Sequence, residues 1–210
     1  VADELLVAME AAGVRPSNAT LAVLVRLHSS RGELARALDV FQDLPKRHGL
    51  EVGPQAHGVL ISACLAEGRR DLALEAFARM AESGCRASSR TFESLIVSCT
   101  RSGDLDQAVQ LVDDALVLEP PDESGPPPLR PALLEPRIVE DLLRLIGCRR
   151  QSQRLGAPFV RRLQAAGFEV SEPLCEAIIV ATEISASREQ PASFFAARQA
   201  ERLRWCRSLT

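Results

Sequence analysis

Apolar residues in this chain fall at helical spacing, in pairs of segments separated by glycine. Between 55 and 67, Val59, Leu60, Ala63 and Cys64 form one stripe, and Gly68 breaks it. Leu72, Ala73, Ala76, Phe77 and Met80 form the next stripe, which Gly84 ends before Cys85–Ser88 leads onward. The pairing predicts a helical hairpin. The same hairpin recurs: Ala2, Ala37, Ala73 and Ala108 are spaced by 35, 36 and 35 residues. Leu6, Phe41, Phe77 and Val112 keep this step, as do Met9, Leu44, Met80 and Ala115. Gly32, Gly68 and Gly103 mark the hairpin turns, and Gly13, Gly49 and Gly84 the hairpin ends. A fixed period of this length predicts stacked hairpins, a surface for holding a partner rather than a catalytic cage. The alanines are expected where paired helices cross most closely, with the larger residues four and seven positions later filling the space between hairpins.

Residues 1–16 read as the second helix of a truncated hairpin, and full hairpins are expected near 18–53, 54–88 and 89–119. Val1 falls in mid-pattern, so more chain is expected upstream. The first full hairpin has one extra residue around Pro45–His48, and Pro45 is expected to kink or end its helix. Residues 119–131, EPPDESGPPPLRP, predict an extended acidic Pro-rich insertion, either a spacer or a strap on a partner. Beyond it the period weakens. Helices are expected at 137–148, 153–166, 173–187 and 192–208, with Pro191 ahead of the last. The organisation is thus 1–118 regular repeats, 119–131 linker, and 132–210 two degenerate hairpins with a C-terminal cap. The fold class is an all-α solenoid of about five hairpins.

Composition adjusts this picture modestly. Aromatics make up 4% of 210 residues, so the core is built from Leu, Val, Ile and Ala. Net charge is −3 but uneven: 19 acids and 12 bases over 1–123, 9 acids and 13 bases over 124–210. An acidic repeat half argues against nucleic acid, whose binding rests on clustered Lys and Arg. Two basic clusters stand out, Arg149, Arg150, Arg154, Arg161 and Arg162, then Arg198, Arg202, Arg204 and Arg207. Each reads as a phosphate or acidic-partner patch, or as a solvated helix face. The run Asp113, Asp114, Glu119, Asp122 and Glu123 reads as a solvated helix end. No apolar run approaches the roughly 18–20 residues that span a bilayer.

Cys64, Cys85, Cys99, Cys148, Cys175 and Cys206 form no C-x-x-C pair and no metal-ligand spacing with histidine, and read as packing thiols. His28 occupies the register of Cys64 and Cys99. His28, His48 and His57 fit no hydrolase motif, and His57 is expected to pack or stack. Trp205 reads as a capping plug or a partner anchor. No catalytic residue, metal or cofactor is expected, and the chain is read as a non-enzyme.

These positions resemble the pentatricopeptide repeat, in a degenerate form. The resemblance rests on Leu60-Ile61, Gly68, Ala73, Phe77, Met80 and Gly84, on Leu95-Ile96, Gly103, Leu105 and Ala108, and on the ending Gly13-Val14-Arg15-Pro16-Ser17. It implies two antiparallel helices per repeat in a right-handed solenoid, and single-stranded RNA binding in mitochondria or chloroplasts, one base per repeat. The family's first base-reading place corresponds to Ala22, Gly58 and Glu93, and the second to Ser17, Gly53 and Ser88. Ala22 and Gly58 have no hydrogen-bonding side chain, and Glu93 brings a negative charge. The leading expectation is therefore a non-catalytic scaffold or adaptor binding protein subunits of a large organellar assembly, such as a ribosome or a photosynthetic or respiratory complex. The alternative is a single-stranded RNA-binding factor of organellar RNA processing, stability or translation.

Overall fold

The computed structural model describes residues 2–117, 133–149 and 151–189. The chain divides into an N-terminal body, Val1–Leu134, and a C-terminal body, Glu135–Thr210. All described elements are helical. The N-terminal body holds α1 (Ala2–Ala11), α2 (Asn18–Ser30), α3 (Leu34–His48), α4 (Pro54–Ala66), α5 (Arg70–Glu82), α6 (Ser89–Ser102) and α7 (Leu105–Leu116). The C-terminal body holds α8 (Pro136–Cys148), a π-helical turn (Ser152–Gly156), α9 (Ala157–Ala165) and α10 (Glu172–Glu189).

In the N-terminal body α2–α3, α4–α5 and α6–α7 are the full hairpins, and α1 is the second helix of an earlier one. The first helices α2, α4 and α6 stack on one another, while α3 and α5 each also touch the first helix of the next hairpin. Each hairpin turn closes with the same backbone bond. Glu33 N–H donates to His28 C=O at 3.0 Å, Arg69 to Cys64 at 2.8 Å and Asp104 to Cys99 at 3.0 Å. The bond spans five residues and needs one residue between its ends in the left-handed region. Glycine meets that need at Gly32, Gly68 and Gly103, with φ of 73°, 71° and 80°. His28, Cys64 and Cys99 thus share one seat, all buried. Burial pushes the Cys64 and Cys99 thiols above their ordinary pKa, which suits packing rather than reactivity. His28 Nδ1 bonds Glu33 Oε2 at 2.9 Å; that bond, with the Arg36 guanidinium nearby, holds the Glu33 carboxyl below the usual range.

Ala37, Ala73 and Ala108 are fully buried, as expected at close helix crossings. The aromatic residue four positions on reaches the next hairpin. Phe41 meets His57 edge-on at 5.2 Å, and Phe77 meets Phe92 at 5.3 Å. His57 is therefore a packing residue, and burial lowers its pKa.

Pro45 does not end its helix: α3 runs on to His48. Proline lacks a donor but keeps its carbonyl, and Pro45 C=O accepts from both Gly49 and Leu50. Asp113, expected in solvent, is buried, while Asp114 is exposed and accepts from Gln110 Nε2 at 3.1 Å. Residues 119–131, Pro191, Trp205 and Cys206 lie outside the described residues.

The C-terminal body keeps the register with one residue added. Ile61 to Ala73 is a step of 12 positions, whereas the matching step from Leu143 to Gly156 is 13. The expected α-helix over 153–166 accordingly begins instead as a π-turn, in which Gly156 N–H donates to Gln151 C=O at 3.3 Å. A π-turn absorbs a single inserted residue without displacing the helix beyond it. From Gly156 to Gly167 the step is again 11, as from Ala73 to Gly84. Gly156 takes the alanine seat. A Cβ there would lie 2.8 Å from Ile178 Cγ2 and 3.3 Å from Ile146 Cγ2, so α8 and α10 meet the chain at a point where only hydrogen fits. Leu142, Leu143, Phe159, Val160 and Leu163 complete this core.

Candidate nucleic-acid interface

The stacked first helices leave an open groove of about 950 Å³ between α2, α4 and the segment entering α6. Several of the residues that line it from α4 are small: Gly58, Ser62, Ala63 and Ala66. Three guanidinium groups line it, from Arg26 on α2, Arg86 in the segment before α6 and Arg90 in the first turn of α6. No Asp or Glu lines it.

Five other arginines of this body have carboxylate partners: Arg36 with Glu33 at 3.7 Å, Arg47 with Asp43 at 3.8 Å, Arg69 with Asp71 at 3.3 Å, Arg70 with Asp104 at 3.7 Å and Arg79 with Glu75 at 2.6 Å. Among the described residues, Arg26, Arg86 and Arg90 have no ion pair, and all three are exposed. The groove is thus cationic within an anionic half. The sequence hides these three because they lie in different hairpin registers. The one signal it carries is the closeness of Arg86 and Arg90 in sequence, on either side of the N-cap Ser88.

The six base-reading equivalents are placed unequally. Gly58 and Ser88 line the groove; Ala22, Glu93, Ser17 and Gly53 do not. Ala22 is buried at 4% exposure, and Glu93 is half-buried. Ser17, Gly53 and Ser88 prove to be the N-cap residues of α2, α4 and α6. Ser17 Oγ accepts from Thr20 N–H at 3.4 Å, and Ser88 Oγ from Thr91 N–H at 3.2 Å. Gly53 has no capping side chain. Its N–H donates to Asn18 Oδ1 at 3.0 Å, and Asn18 Nδ2 donates to Glu51 C=O at 2.9 Å, so α2 clasps the entry to α4.

The basic cluster of the C-terminal body spreads over successive elements. Arg149 follows α8, Arg154 sits on the π-turn and donates to Gln151 Oε1 at 3.3 Å, and Arg161 and Arg162 lie on α9, Arg162 at 5.8 Å over the Phe159 ring. Arg150, Arg198, Arg202, Arg204 and Arg207 lie outside the described residues. Among the described residues no cluster of three metal-type ligands forms, and no helix is long and apolar enough to cross a membrane.

Comparison with known proteins agrees with this geometry. Residues 46–102 match the pentatricopeptide repeat domain, and residues 90–116 match the PPR repeat. A pentatricopeptide repeat-containing protein of Arabidopsis thaliana is 32% identical over 94 residues, which is 44% of this chain but only 15% of that protein. Among solved structures, nuclear proteinaceous RNase P 2 of A. thaliana aligns over 90% of this chain and 39% of its own, with TM-score 0.57 and 17% identity. The PPR domain of A. thaliana protein-only RNase P 1, solved with tRNA, aligns over 87% and 89%, with TM-score 0.56 and 19% identity. The maize pentatricopeptide repeat protein PPR10 aligns over 91% and 27%, with TM-score 0.55 and 15% identity. At these identities the solved structures speak for the helical-repeat fold. The hairpin register and the repeat matches identify residues 46–116 as pentatricopeptide repeats.

Proposed function

We propose that the N-terminal body binds single-stranded RNA by its phosphate backbone, in the groove between α2, α4 and α6. The observation that carries this reading is the convergence of Arg26, Arg86 and Arg90, none of them ion-paired, on one groove lined by no acid. Guanidinium groups left without carboxylates are suited to phosphate. The family resemblance supports the same ligand, an organellar setting and a non-catalytic role, although one structural neighbour is an RNase P.

Anisotropy titration of labelled single-stranded RNA at two salt concentrations tests the proposal. Three phosphate contacts give a slope of log affinity against log salt of about −2. A flat response would overturn it. A second reading, a scaffold for protein subunits of a large assembly, draws on the burial of Ala22 and the missing side chain at Gly58. It is favoured if RNA binding fails while the chain co-purifies stably with a multi-subunit complex.

A further inference from the structure

Five hydroxyl-bearing residues line the groove, and they differ in setting: Ser29, Ser30, Ser62, Ser88 and Thr91. Four belong to helices. Ser29 and Ser30 lie in the last turn of α2 and Ser62 in α4, and each donates to a carbonyl three or four residues back at 2.8 Å. Thr91 lies in the first turn of α6 and is buried. Ser88 alone stands before its helix. It closes a non-helical stretch that begins at Cys85, has extended φ and ψ of −78° and 157°, and is exposed.

Three guanidinium groups surround this serine. Arg86 and Arg90 flank it two residues away on either side, and Arg26 enters the same groove from α2. An exposed serine in extended backbone, with arginine on both sides, can be gripped by a serine/threonine kinase whose cleft carries carboxylates for those arginines. Phosphorylation adds a charge of about −1.5 to −2 and three acceptor oxygens. In this groove the added charge meets three arginines without an ion pair and no lining carboxylate to repel it.

We propose that Ser88 is a phosphorylation site, and that its phosphate is held by Arg26, Arg86 and Arg90 in the place the groove offers to RNA. In the active site of an arginine-selective kinase, Ser88 Oγ attacks the γ-phosphorus of ATP. The Oγ–P bond forms, the bond from the γ-phosphorus to the β–γ bridging oxygen breaks, ADP leaves, and the hydroxyl proton passes to the kinase. The groove is then neutralised from within, and RNA loses its phosphate contacts. That consequence rests on the RNA reading above; the pairing of phosphate with arginine does not.

The whole chain, prepared with phosphoserine incorporated at position 88, tests both parts. In a phosphorus NMR titration its second pKa is expected about half a unit or more below that of the same chain unfolded in urea, because arginines favour the dianion. Replacing Arg26, Arg86 and Arg90 with glutamine is expected to remove that difference. RNA affinity at low salt is expected to fall by about tenfold or more against the unmodified chain, and to return on phosphatase treatment. An arginine-selective kinase with ATP is expected to modify Ser88 of the folded chain, mapped by mass spectrometry. Equal pKa values in the folded and unfolded chains, or a kinase that modifies a peptide of residues 83–93 but not the folded chain, would overturn the proposal. Unchanged RNA affinity on phosphorylation, with the unmodified chain binding RNA, would overturn it as a switch. If the unmodified chain binds no RNA, the RNA reading falls, and the NMR titration still decides the phosphate site.

Discussion

The hairpins α4–α5 and α8–α9 solve one packing problem in two ways. In the first, a buried alanine lets the helices approach, and the next helix is met through Phe77 and Phe92. In the second, one extra residue precedes the crossing, and the chain absorbs it in a π-turn and seats glycine, not alanine, against Ile146 and Ile178. The repeat therefore keeps the phase of the small residue relative to the next glycine, and tolerates change in the stretch before it. The two hairpins also differ in charge. The groove beside α4 is lined by arginines without an ion pair, whereas in the second hairpin Arg144 of α8 pairs with Glu140 and Asp141.

A one-residue deletion in each hairpin should separate the two solutions most drastically. Removing Glu75 from α5 rotates the preceding part of the helix, Ala73 included, by about 100° relative to the rest, so the alanine and methionine seats cannot both be filled. Loss of cooperative melting in a circular dichroism scan is expected. Removing the exposed Gln153 is expected to convert the π-turn to an α-turn and leave Gly156 seated, with cooperative melting retained. Equal damage from both deletions would refute the assignment of the insertion to the π-turn.

Enlarging the two small seats should cost less than shifting their phase. Gly156→Leu forces atoms against two buried isoleucines and is expected to cost about 3 kcal/mol, while Ala73→Leu is expected to cost between about 1 and 3 kcal/mol. Urea denaturation measures both, and a cost below about 1 kcal/mol at either site contradicts its placement at a close crossing.

The difference in charge is tested by removing it. Replacing Arg26, Arg86 and Arg90 together with glutamine is expected to lower RNA affinity by tenfold or more at low salt and flatten the salt slope by about 2. The same change at Arg149, Arg154 and Arg161 is expected to have the smaller effect. The reverse order would move the interface to the C-terminal body.

The smallest effect is that of pH. Burial lowers the His57 pKa below 6.5, so the unfolded chain binds the proton more readily than the folded one. Stability is fully present above pH 6.5 and falls as the solution is acidified below it, with a slope of at most about 1.4 kcal/mol per pH unit from this group. His57→Phe preserves an aromatic contact with Phe41 and should reduce that loss. An unchanged acid profile would remove His57 as its source.

Much of the hairpin architecture was legible in the chain, because a 35-residue period with glycine at each break leaves few alternatives to stacked helix pairs. The shared seat of His28, Cys64 and Cys99 was visible as register, and its cause appeared only as a backbone bond at the hairpin turn. Pro45 was expected to kink or end its helix; the helix does not end there, and its carbonyl, which accepts twice, depends on the turn after it. Asp113 misled for a related reason: burial of one residue in an acidic pair depends on which way the helix faces.

Sequence alone determined the helix pairs, their period, the small seats and the loss of amides at Ala22 and Gly58, because these are local choices repeated in phase. Tertiary structure alone decided three things: that Ser17 and Ser88 are spent as helix caps, that a π-turn carries the inserted residue, and that Arg26, Arg86 and Arg90 line one unpaired groove. Those three arginines come from different hairpins and different registers. Only the stacking of one hairpin on the next brings their charges to one face, and that face is cationic because no acid lines it.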